Sequence, residues 1–390
     1  MSGQELRADR VEPIYREVTD DLTRQLRVAE VVYGTAERYP SLLPSRADID
    51  EERSHLQKDK RGLEIEQGNF LAHLLAHPVA GAHLVHAMSQ PRSDAAERLP
   101  ELQRSGSVDL GPVRVDRSGT TGLVTLQNHA SLNAEDDAST AALETAIDLV
   151  LLDDAIDVGV LRGAPATHPK YAGRRVFGAG INLTHLYRGQ ISFVEFMVER
   201  ELGPVSKMYR GHGLGPFDAG ELAPRREKPW IAAVESFAIG GACQFLLVMD
   251  RVIAEAGSYF NLPARREGII PGCADLRLPR FVGERLARQA IFFNRPFPAD
   301  SAEGRLLADE VVPADEIDDA IERAATELMS AGTTSLVANR RALRAAHEPL
   351  DVFRRYMSTY AREQAACLYS PALIANLDTN WNARAASTAR

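Results

Sequence analysis

The chain has 390 residues, 45% of them hydrophobic, which is ample for a sizeable core and long for one ordinary domain. A formal net charge of -9 and a pI of about 5.7 exclude a broad nucleic-acid surface, so an anionic ligand would need a local basic patch. Three cysteines, Cys243, Cys273 and Cys367, are too few and too scattered for a disulfide framework or a CxxC site, which fits a reducing cytoplasm. The opening MSGQELRADRVEP lacks the apolar stretch of a signal peptide, and no run approaches membrane-spanning length.

Val18, Leu22, Leu26 and Ala29 recur at helical spacing, predicting one amphipathic helix over residues 14–39. Ser45 and Asp48 form a capping-box-like start to a second run through Leu56, Leu63, Phe70 and Leu74, ending before Pro78. His73, His77, His83 and His86 crowd the next stretch, but the Glu of HExxH is missing and Pro78 interrupts, so they read as structural. Residues 90–107, with their Pro, Ser and charges, read as a connector. The expected division is therefore an N-terminal helical domain over 1–105, a core over 106–300 and a C-terminal helical region over 301–390.

Beyond the connector, strands are expected at 113–115 and 123–126, a helix over 133–154, and a strand at 158–162 leading to the glycine-rich RVFGAGINL of 175–183. That succession implies the right-handed crossovers of an α/β layer fold. The region 186–227 reads as an insertion with a helical pattern over 193–209, whose Glu199, Arg200 and Glu201 look like a solvated face. GHGLGP at 211–216 reads as a loop without phosphate chemistry. Then comes KPWIAAVESFAIGGACQFLLVMD: a buried strand at 230–234, a turn at Gly240 and Gly241, and an apolar helix over 242–249. The first amides of a helix lack internal partners and face a favourable dipole, so two such glycine loops are each able to offer an N–H to one oxyanion. Cys243 within this stretch reads as a core residue rather than a nucleophile. Arg174 and Arg175, Arg225, Arg226 and Lys228, and Arg265 and Arg266 are the candidate phosphate contacts. The remainder predicts helices at 285–293, 302–308, 316–330, 335–347 and 351–368, a strand at 309–313, and a fraying tail NARAASTAR.

Taken together and in order, AGIN, IGGAC and GIIPGCADLRLPRFVG resemble the enoyl-CoA hydratase/isomerase (crotonase) superfamily. The resemblance implies a crotonase-like spiral of ββα repeats, with an N-terminal helical domain and a C-terminal helical layer that covers the acyl site and builds trimers or dimers of trimers. It implies amides of Ile181 and Gly241 on the thioester oxygen of an acyl-CoA, and backbone of Ser131 and Leu132 near the CoA adenine. Hydratases of the superfamily carry two water-activating glutamates; here those positions hold Gln244 and Ala264, which cannot accept a proton as a carboxylate does.

The N-terminal helices, the phrase GGACQFLLVMD, Glu135 and Arg200 narrow the resemblance to the 3,5-dihydroxyphenylacetyl-CoA 1,2-dioxygenase subfamily, over about residues 10–380. It implies a metal-free and cofactor-free conversion of the aryl-acetyl thioester and O₂ into 3,5-dihydroxyphenylglyoxylate and CoA. That product feeds 3,5-dihydroxyphenylglycine, a building block of glycopeptide antibiotics. Glu135, Arg200 and Gln244 would bind the ring hydroxyls, and Glu135 would assist removal of the α-proton. Two other readings stay open: an acyl-CoA hydrolase or isomerase using Glu135 or Glu199, and a non-catalytic acyl-CoA-binding scaffold.

Overall fold

Seven strands are laid down side by side in chain order: β1 (Ser107–Asp109), β2 (Val113–Ser118), β3 (Thr121–Leu126), β4 (Val158–Gly163), β5 (Trp230–Val234), β6 (Arg251–Glu255) and β7 (Glu310–Val312). They are seen in a computed structural model that describes residues 8–217 and 223–381. β1, β2 and β3 pair antiparallel, and every later pairing is parallel. All residues of β4 and β5 are buried, as a parallel sheet covered on both faces requires. Alternation assigns the faces: Trp230, Ala232 and Val234 join the main core, whereas Ile231 and Ala233 pack with Val158 and Val160 against the helix Ile317–Met329.

β5 and β6 are each followed by a short strand, Phe237–Ile239 and Tyr259–Asn261, and then by a short helix, Gly241–Leu246 and Ala264–Glu267. The two short strands pair parallel, and Phe297–Pro298 adds an antiparallel third. Gly178 extends this small sheet by bridging to Ala238. Strand, strand, helix is thus the repeating unit, and the ββα architecture that the family resemblance implies is the one observed.

A second apolar core lies among helices. Val28–Arg38, Glu64–Ala76 and Pro78–Met88 share one buried cluster with the segment 193–202 and the helix Leu350–Leu368, through Phe70, Leu74, Phe193, Phe196, Phe353 and Met357.

Several local expectations change. The helix expected over 14–39 is two helices, Ala8–Val18 and Val28–Arg38, because Asp20, Asp21 and Leu22 all take positive φ and turn the chain. The second run is likewise interrupted between Arg46–Glu52 and Glu64–Ala76, although Ser45 and Asp48 form the expected reciprocal cap. The connector over 90–107 is mostly a helix, Ser93–Ser105, held to the core by buried Ala95 and Leu102 and stopped by Gly106 in the left-handed region. Between 302 and 308 only a single turn forms, Gly304–Leu306. The helix ending at Phe293 begins earlier, at Ala274, and bends at Gly283; a further helix, Pro371–Asn380, closes the described chain. The tail 382–390 lies outside the described residues.

Candidate active site

The two glycine loops meet backbone to backbone. Gly240, at φ 56°, turns the chain from the strand Phe237–Ile239 into the helix that starts at Gly241. Gly180, at φ 78°, lies so close that a Cβ there would stand 2.8 Å from the Ile239 oxygen and 3.2 Å from the Gly241 nitrogen. Beside them Glu135 and Ile181 form an isolated parallel bridge. The Glu135 amide donates to Gly180 oxygen at 2.7 Å and the Asn182 amide to Glu135 oxygen at 2.7 Å, so the bridge leaves the Ile181 amide unspent. The Gly241 amide, first in its helix, also has no acceptor among the described residues.

Against this backbone sits a buried charge cluster centred on Arg200. Its Nε donates to Glu135 Oε2 at 2.6 Å, Nη1 to Glu201 Oε1 at 2.6 Å and Gln244 Oε1 at 3.2 Å, and Nη2 to Gly241 oxygen at 2.8 Å. The guanidinium also lies 4.6 Å over the Phe245 ring. Burial works against its charge, but Glu135 and Glu201 more than offset that and hold its pKa above the ordinary value. The expected solvated face of Glu199, Arg200 and Glu201 is therefore corrected: all three are buried. Glu199 points the other way, accepting the Ala29 amide at 2.9 Å and pairing with Arg27 at 3.4 Å, and burial raises its pKa. Glu199 and Arg200 are the two helical residues between π-helical turns at Phe193–Val198 and Glu201–Val205, and neighbours on a helix diverge by about 100°.

Loops and cluster line a small, partly open cavity of about 40 Å³. Ile181, Gly241, Glu135, Arg200 and Gln244 all line it. Ser131 and Leu132 do not: Ser131 Oγ donates to Asn128 oxygen at 3.3 Å, and Leu132 packs beside Val176 and Phe237. Glu135 Oε1 is buried without a hydrogen-bond partner among the described residues, and a Cβ on Gly241 would fall 2.1 Å from it. Sequence reasoning missed Glu201, Glu267 and Tyr360, which also line the cavity. Glu267 lies one helical turn beyond Ala264, the position that drew attention, and burial pushes its carboxyl up to about 7.

Of the basic candidates, Lys228 donates to Val150 and Asp153 oxygens and Arg225 to Arg210 and Gly211 oxygens, so these brace the fold. Arg175 donates to Gly163 oxygen and Arg265 to Phe292 oxygen, while Arg174 pairs with Glu255 at 3.8 Å. Arg226 donates to Leu152 oxygen, and Arg266 is exposed. The Cys243 thiol is pushed up to about 12 by burial, which suits a core residue. His83 bonds Tyr15 Oη at 2.6 Å, a structural contact. Among the described residues no group of three or more His, Cys, Asp or Glu is placed to hold a metal, and no helix is long and apolar enough to cross a membrane.

A ββα spiral with two unspent amides over one cavity defines the enoyl-CoA hydratase/isomerase, or crotonase, class. The enoyl-CoA hydratase/isomerase family model matches residues 217–363. The fold is similar to an enoyl-CoA hydratase/isomerase from Xanthobacter autotrophicus Py2, with TM-score 0.58 and 20% identity over 72% of this chain and 96% of that one. An enoyl-CoA hydratase from Mycobacterium avium subsp. paratuberculosis K-10 gives TM-score 0.55 and 22% identity over 70% and 99%. In sequence the chain is 47% identical, over 93% of its length and 82% of the relative's, to (3,5-dihydroxyphenyl)acetyl-CoA 1,2-dioxygenase of Amycolatopsis orientalis. A probable mitochondrial enoyl-CoA hydratase of Dictyostelium discoideum is 26% identical over 60% of this chain and 75% of that one. The chain thus belongs to the crotonase superfamily and, within it, to the family of that dioxygenase.

Proposed function

We propose that the protein is a dioxygenase that converts 3,5-dihydroxyphenylacetyl-CoA and O₂ into 3,5-dihydroxyphenylglyoxylate and CoA, without a metal or organic cofactor. One observation carries the reading: the cavity keeps two unspent amides, at Ile181 and Gly241, yet presents an amide and a methyl, Gln244 and Ala264, where hydration would need carboxylates. Such a site stabilises an enolate but lacks carboxylates at the two positions from which a hydratase activates water. The kinship with the Amycolatopsis enzyme supplies the substrate class.

In this reading the thioester oxygen sits between the two amides, which acidifies the α-carbon, and a donor of this kind is worth about 3 kcal/mol of barrier. The electron-rich ring lets the enolate give an electron to O₂, so the substrate itself is the reductant. Peroxide formed at the α-carbon attacks the thioester carbonyl and expels CoA; loss of the second α-hydrogen as the O–O bond breaks leaves the keto acid. Glu135 Oε1, buried and unpartnered, accepts from a ring hydroxyl, and Gln244 and the remaining Arg200 donor complete the recognition. The 131–132 backbone meets the CoA adenine at the cavity's approach. A trimeric or dimer-of-trimers assembly in the cytoplasm, serving synthesis of an arylglycine antibiotic building block, belongs to the same reading.

The test uses chelator-treated protein, 3,5-dihydroxyphenylacetyl-CoA and isotopically labelled dioxygen. Both labelled atoms are expected in the glyoxylate, with CoA released only when oxygen is present. Release of CoA under anaerobic conditions identifies a hydrolase and sinks the proposal, and binding without turnover leaves only a scaffold.

A further inference from the structure

Removing the α-proton calls for a base, and three carboxylates line the cavity: Glu135, Glu201 and Glu267. Two are already engaged by one guanidinium. Glu135 gives Oε2 to Arg200, and Glu201 gives Oε1 to Arg200 and Oε2 to the Cys273 amide at 3.2 Å. Each therefore has an oxygen already committed to Arg200. Glu267 accepts no hydrogen bond and forms no ion pair with the described residues. It ends the helix Ala264–Glu267, its amide bonded to Pro263 oxygen at 3.0 Å, and Gly268 at φ 87° turns the chain back so that Ile269, Ile270 and Pro271 continue the same wall.

We propose that Glu267 is the base that accepts the α-proton, while Glu135 holds a ring hydroxyl; this rests on the dioxygenase reading of the site. In the step, the α-C–H bond breaks, its proton passes to the Glu267 carboxylate, and its electron pair becomes the enolate, with the charge on the thioester oxygen between the Ile181 and Gly241 amides. The result is a neutral carboxylic acid and one delocalised anion, so no external acceptor is needed. Burial, opposed weakly by Arg266 on the same helix, places the Glu267 ionisation at about 7, where a base is both unprotonated and strong enough to act. Glu135, Arg200, Glu201 and Tyr360 line the same cavity. On the helices packed against it, Arg277 and Arg280 are bound to Glu348, Asp378 pairs with Lys58, and Asp275 is raised by burial to about 6.

The experiment follows deuterium entering the α-carbon of 3,5-dihydroxyphenylacetyl-CoA in anaerobic D₂O, where oxidation cannot proceed. Wild-type exchange is expected to rise with pH through about 7 and then level. Glu267→Gln, nearly isosteric, is expected to exchange about 100-fold or more slowly and to lose the pH step while binding the thioester as before. Glu267→Asp should recover part of the rate, which a structural role would not produce. Glu135→Gln should weaken binding yet keep the pH step. Wild-type rate and pH profile in Glu267→Gln would overturn the assignment of the base alone. A wild-type protein that neither exchanges nor consumes oxygen overturns the dioxygenase reading and the assignment with it.

Discussion

Gly241 is the residue on which the cavity's geometry closes. Its amide is unspent, its carbonyl is held by Arg200 Nη2, and the space a Cβ would fill is taken by Glu135 Oε1 at 2.1 Å and Arg200 Nη2 at 2.8 Å. Gly241→Ala must therefore displace the Glu135–Arg200 pair or shift the helix start that aims the amide. Loss of one positioned donor costs about 10²–10³-fold in kcat. We expect at least that fall, with the secondary structure unchanged by circular dichroism, and a variant retaining full turnover would remove Gly241 from the mechanism. Five residues that line the cavity, Ile181, Gly241, Glu135, Arg200 and Gln244, were singled out in the sequence, because glycine motifs and the family likeness mark them where they stand. Glu267 was not, since nothing local says that a charged residue after two arginines faces inward. The burial of Glu201 was equally hidden, because a charged triplet in a helical pattern looks the same whether it meets solvent or its own counterions.

At the scale of elements, the segment between the glycine loops does the positioning. Its two helical residues between π turns part company, Arg200 toward the cavity and Glu199 toward Arg27 and the Ala29 amide, as neighbours about 100° apart on a helix do. Its fit against the helix Asp137–Leu152 is close: a Cβ on Gly203 would stand 2.8 Å from Glu144 Oε1. That carboxylate cannot easily yield, being held by Arg27 at 2.7 Å and Lys207 at 2.8 Å. Gly203→Ala is expected to destabilise the protein by about 1–3 kcal/mol, the usual cost of overpacking, visible as a lower urea midpoint with an unchanged m-value. An unchanged midpoint would show that Glu144 is free to move. Strands and long helices were largely readable from apolar period. The breaks at Asp20–Leu22 and the helix Ser93–Ser105 were not, since the first depends on left-handed backbone at ordinary residues and the second on tertiary burial of two apolar side chains.

For the molecule as a whole, the cavity lies where its two cores meet. Gly241, Gln244 and Ala264 come from the ββα side, whereas Phe196, Met197 and Tyr360 belong to the helical cluster that joins the first ninety residues to the C-terminal helices. The joint is tightest between the helices Glu64–Ala76 and Leu350–Leu368. A Cβ on Gly68 would fall 2.4 Å from the Ala365 Cβ and 2.9 Å from the Ala361 oxygen, so these backbones pack at a distance only glycine permits. Tyr360, which adjoins Ala361, gives its hydroxyl to Met197 oxygen at 3.3 Å and so carries any displacement straight to the cavity wall. Gly68→Val is therefore expected to do two things at once: lower the melting temperature, as overpacking by about 1–3 kcal/mol would, and raise KM for the thioester although the substitution touches no lining residue. Melting measured by circular dichroism and steady-state oxygen uptake check the two arms. A variant that melts early yet keeps wild-type KM would mean that the helical core supports the fold without shaping the site.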